Sequence, residues 1–171
     1  MFRYLLVLTC VAIFSADIFS QDAPKGANVI EIHTADNIDD AFKKMGRLLL
    51  DEGYTLETAD KNFYVITTEV RKMNYGFMNA GELEMKLIIE FNDDEDGTTM
   101  ILKGMKSSEQ LHRAATTGAG VSSNTSFDKD ASRILNKGGK GSIVGASWIF
   151  MENLAKGYKG GKIEYLTEET R

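Results

Sequence analysis

The acidic run NDDEDG at 92–97 sets side-chain oxygens at alternate positions, Asn92, Asp94 and Asp96, with Gly97 behind them. Calcium loops of the helix-flanked kind begin this way and close with a bidentate acid at the twelfth position. Counted from Asn92, the twelfth residue is Lys103. The run also falls between two segments of strand periodicity. It therefore reads as a hairpin turn, with Asp96 and Gly97 expected at the positive φ such turns favour. A second candidate, KGGKGS at 137–142, resembles a phosphate loop. Lys140 is followed by Gly141, however, so the Gly-Lys-Ser/Thr order is broken. The glycines read instead as a connection into a helix.

Histidines stand at 33 and 112, and the single cysteine is Cys10. Zinc needs three or four convergent ligands, and two histidines without cysteines do not supply them. A serine triad needs an oriented histidine and, in one large class, a G-x-S-x-G elbow, which the chain lacks. Glu82, Glu84 and Glu90 share one face of a strand with Lys86, a pattern of a solvated sheet surface rather than an acid/base pair. We therefore expect no catalytic residues, no metal and no cofactor. The stretch RKMNYGFMNAG (71–81) is better suited to binding, because Met73, Tyr75, Phe77 and Met78 lie among Asn and Gly. Adaptable methionine and aromatic surface suits a protein partner. Otherwise these residues extend the two flanking strands onto the core.

These residues must be positioned by the elements around them. At 1–20 a basic Arg3 precedes an apolar run from Tyr4 to Phe14, too short to span a bilayer and matching a secretory signal. Cleavage is expected after Ser20, with Ala16 as the second choice. Cys10 follows Thr9 and apolar residues continue past it, so no lipid anchor is expected. Residues 21–171 then form one domain without cysteine or disulfide, which fits a bacterial periplasm or envelope better than an animal extracellular fluid. No further run is long and apolar enough for a membrane span. The net charge of −5 disfavours nucleic acid, whose phosphates call for a basic surface.

ANVIEIHT (27–34) alternates as a strand. NIDDAFKKMGRLLLDEG (37–53) is a helix capped by Asn37 and stopped by Gly53, with Ile38, Ala41, Phe42, Met45, Leu48 and Leu49 on one stripe. YTLETA (54–59) and FYVITTEV (63–70) flank a turn at 60–62. GELEMKLIIEF (81–91) alternates cleanly, Leu83, Met85, Leu87, Ile89 and Phe91 against Glu82, Glu84, Lys86 and Glu90. TTMILKGMK (98–106) is its partner. A Gly/Ser/Thr-rich loop is expected at about 107–126, a short helix over 128–137, a second main helix over 142–158 with Trp148 on its apolar face, and a short closing strand at 162–166. The expected fold is α+β: an antiparallel sheet of about five strands with two main helices on one face, in β-α-β-β-β-β-α order.

The segment 37–69 resembles the helix, Gly-Tyr, hairpin phrase of small secreted envelope proteins of Bacteroidetes-type bacteria. It is also similar to repeats of outer-membrane assembly lipoproteins, whose fold is TATA-binding-protein-like. The matching positions are the helix stripe, Gly53-Tyr54, Asp60-Lys61 and Ile66-Thr67-Thr68-Glu69. The resemblance covers about a fifth of the chain, implies a fold without catalytic residues, and lacks a lipid-attachment cysteine at the expected mature start. The expected function is an exported, non-catalytic binding or accessory module of the periplasm or cell envelope, partnered by another envelope protein. The alternatives are a carrier holding a small apolar ligand between helix and sheet, and a hydrolase working with carboxylates alone.

Overall fold

The computed structural model describes residues 22–75, 81–107, 131–137 and 143–168. The fold is α+β: an antiparallel sheet and two helices among the described residues. In chain order the elements are β1 (Val29–Thr34), α1 (Ile38–Asp51), β2 (Leu56–Asp60), β3 (Val65–Thr68), β4 (Arg71–Tyr75), β5 (Gly81–Asp94), β6 (Gly97–Ser107), β7 (Ala131–Arg133), α2 (Ile143–Gly157) and β8 (Lys162–Leu166). Among the described residues the sheet has eight strands, not about five. Its main path is β2-β3-β5-β6-β1-β8, with β4 continuing beside β5 and β7 beside β6.

The strands beyond five come from three places, the last of them the closing strand expected at 162–166. Met73 and its neighbours in 71–75 pair with β5, so the first half of the Met/aromatic stretch extends the sheet. Residues 131–133, expected within a short helix, instead pair with the end of β6 as β7. Ile134 follows and is fully buried. The closing strand β8 lies antiparallel to β1.

Local periodicity explains the layers. On β5, Leu83, Met85, Leu87, Ile89 and Phe91 are buried while Glu84, Lys86 and Glu90 are half-exposed on the other face. On α1, Ala41, Met45 and Leu49 are buried, and Ile38, Phe42 and Leu48 pack against the same core. The Asn37 side chain caps the helix by accepting from the Asp40 N–H at 3.0 Å. Gly53, at φ +79°, turns the chain out of it. On α2, Trp148, Met151, Leu154, Ala155 and Tyr158 are buried. Both helices pack onto this one sheet face, and among the described residues no helix covers the other face.

The turn at 92–97 is tighter than expected. Asp94 and Gly97 are the closing pair, so Glu95 and Asp96 alone make the loop. Gly97 has positive φ, but Asp96 does not. Its pairing lets β5 and β6 run together over ten residue pairs.

One carboxylate ties the two helices to the sheet. Asp36, between β1 and α1, accepts from Lys44 at 2.6 Å, from the Tyr158 hydroxyl at 2.8 Å and from Thr34 at 3.2 Å. Lys44 foremost, then Tyr158, holds the Asp36 carboxyl below the usual carboxylate range. Asp36→Asn is expected to cost about 1.5–3 kcal/mol, the range for a hydrogen bond to a charged group. Since the folded state holds this carboxyl more acidic than the unfolded chain does, its contribution is complete above about pH 4. It is lost as pH falls through the lower folded value. Urea melts of both proteins at pH 7 and pH 3 check this: the gap between them should shrink in acid.

Candidate functional site

The open sheet face is mostly a ladder of paired charges. Lys86 meets Glu57 at 2.6 Å, Lys72 meets Glu84 at 3.0 Å, and Lys103 meets Glu90 at 3.4 Å. Arg133 reaches Glu168 at 2.7 Å. Glu84 and Glu90 are thus balanced surface groups, as expected from their place beside Lys86. One part of the face follows a different rule.

Glu31 and His33 are two apart on β1, so they share the outward face. On one side β8 sets Glu164 directly opposite Glu31 and Lys162 opposite His33. On the other side β6 sets Thr99 opposite His33. Like charges directly opposite each other weaken an antiparallel pair, so the facing Glu31 and Glu164 break a local rule of strand pairing. Lys162, 2.7 Å from Glu164, offsets part of this and holds the Glu164 carboxyl below the usual range. The nearby His33 adds to that shift in a smaller measure.

The imidazole is held from behind. His33 Nδ1 lies 2.8 Å from Thr99 Oγ1, and the Thr99 hydroxyl donates to the carboxylate of Asp94. A hydroxyl has one proton. Once Thr99 gives it to Asp94, its oxygen can only accept from His33, which places a proton on Nδ1. The other nitrogen, Nε2, faces the two carboxylates, 3.5 Å from Glu31 and 3.9 Å from Glu164. Nε2 is buried and makes no hydrogen bond, although the His33 side chain as a whole is 37% exposed. An orientation fixed through Nδ1 with Nε2 left free is how a histidine is prepared to act through Nε2. Beside this group lies an open cleft of about 420 Å³ lined by His33, Thr34, Asp94, Gly97 and Thr99 among others.

The other sequence candidates fall elsewhere. Met73 is buried against the core and offers no surface, because its strand partner Leu83 faces the helices. Tyr75 ends β4 opposite Gly81. Phe77, Met78, His112 and most of the KGGKGS segment lie outside the described residues. Trp148 is in the core. Sequence reasoning missed Glu31, Glu164, Thr99 and Asp94 as companions of His33. The i, i+2 spacing of Glu31 and His33 was a usable signal. Glu164 and Thr99 arrive only through pairing across the sheet, which the sequence does not display.

Neither a scan of known protein-family models nor a search of curated proteins finds a match to this chain.

Proposed function

We propose that the chain is an exported, non-catalytic binding or accessory module of the bacterial periplasm or cell envelope, and that it binds through the open face of its sheet around His33. The observation that carries this is the oriented imidazole between two opposed carboxylates, a costly arrangement on an otherwise charge-balanced face. Natural chains break such local rules where they work. The signal-like segment 1–20 supports export. The carrier alternative gains less support, since the layer between α2 and the sheet is filled by Trp148, Met151, Leu154, Met100 and Leu102. For the non-catalytic part, the motivating features remain those of the sequence, including the lack of a thiol in residues 21–171.

The test is site-specific photo-crosslinking in the native host. A photoreactive residue replacing Lys162, exposed beside His33, should capture a discrete envelope protein. The same residue replacing Lys43, on the outer side of α1, should not. Capture from position 43 alone would put the binding surface on the helices and overturn the assignment.

A further inference from the structure

We propose that Glu31, His33 and Glu164 form a site for one borderline divalent transition cation of the zinc class, bound through His33 Nε2 and one oxygen from each carboxylate. The proposal rests on the reading of this face as the binding surface and names its ligand.

The geometry is close to that of a loaded site. Ligands about 2.0–2.1 Å from a tetrahedral zinc lie roughly 3.3–3.4 Å apart. The Nε2 to carboxylate distances are 3.5 and 3.9 Å, and all three donor atoms lie within 4.8 Å of one another. Modest side-chain adjustment therefore brings them to coordinating distance. Among the described residues this is the one group of three or more such donors brought together.

The electrostatics also favour a cation. Glu31, Glu164 and, through Thr99, Asp94 bring three negative charges, and Lys162 returns one positive charge. A dication at Nε2 would relieve the repulsion between the facing carboxylates and satisfy the buried nitrogen at once. The Asp94–Thr99–His33 chain is the outer support that metal-bound histidines ordinarily have, in which the second ring nitrogen donates its proton and fixes the ring. Thr99 is a positioning residue in this arrangement. An imidazole nitrogen among the donors selects zinc-like ions over magnesium or calcium, which take oxygen. Three protein ligands leave a fourth position of the tetrahedron for water or for a donor from the partner.

The experiment is isothermal titration of zinc chloride into untagged purified protein, with magnesium chloride in parallel. One zinc ion per chain should bind at micromolar concentrations, and magnesium should neither bind tightly nor displace it. Affinity should fall as the solution is acidified, because the ligands must be deprotonated. His33→Ala should weaken binding by more than about 100-fold, and Thr99→Val by roughly 10- to 100-fold. Thr99→Ser, which keeps the hydroxyl, should restore it. Glu164→Gln, which removes charge with little change of shape, serves if His33→Ala fails to fold. No zinc saturation at micromolar concentrations, or zinc binding undiminished in folded His33→Ala and Glu164→Gln, would overturn the site. Photo-crosslinking from position 162 needs no metal titration, so loss of the cation site and loss of the binding face would be told apart.

Discussion

Gly97→Ala should lower stability by about 2–5 kcal/mol, the sum of a left-handed backbone penalty and an overpacking cost. Gly97 has φ +143°, and a Cβ there would lie 2.0 Å from the Thr34 carbonyl oxygen and 2.9 Å from Ala35 Cα. Both obstacles are backbone, so no side-chain rotation relieves them. Thr34 pairs with Thr98 at the start of β6, so the clash would push β1 and β6 apart at the wall of the His33 cleft. For a domain of this size the melting temperature should fall by about 4–20 °C. Gly26→Ala and Gly160→Ala are the controls. They too have positive φ, but nothing lies within 4 Å of the added carbon, so only the backbone penalty of about 1–2 kcal/mol should remain. Equal losses at all three positions would mean that the close approach of Gly97 to β1 is not what matters there.

Leu49→Ala should cost about 2–5 kcal/mol, whereas Leu50→Ala, the same change one residue on, should stay within about 0.5 kcal/mol. Leu49 is 0% exposed and Leu50 is 55% exposed. The difference comes from helix geometry alone, since a step of one residue turns the side chain about 100° away from the sheet. Leu49 sits beside Met45 and Ala41 in the layer that α1 shares with the sheet. Removing three carbons leaves a cavity that close-packed neighbours fill only in part. Urea denaturation of the two variants checks the pair. Similar costs for both would mean that α1 is rotated from the orientation described.

The Leu49 and Leu50 contrast was legible in the sequence because a helix writes its buried face every three to four residues within one segment. The same holds for β5, where Leu83 to Phe91 alternate with charged residues, and for the cap at Asn37. Signals that depend on distant partners were not legible. Residues 131–133 look like the start of a helix, but they pair with β6 at the place where Ile134 can bury itself beside Gly104. Met73 looks like exposed binding surface when read among Asn and Gly, and its inward orientation follows from pairing with Leu83. The candidate site shows the limit most clearly. His33 and Glu31 are close in sequence, but Glu164 lies more than 130 residues further on and meets them through the β1–β8 register. Thr99 acquires its role because β1 and β6 place it opposite His33. The turn at 92–97 was legible as a turn, yet the part Asp94 plays in orienting His33 through Thr99 was not, since it requires the register of two strand pairs at once.

The decisive observation is native mass spectrometry of the protein recovered from its own host. An exported binding module acting through the His33 face should appear in complex with another protein, and substituting both His33 and Lys162 by Asp should release it while the fold persists. A tightly held apolar small molecule of a few hundred daltons, retained in that variant and with no protein partner, would contradict the binding-module assignment and make the chain a carrier.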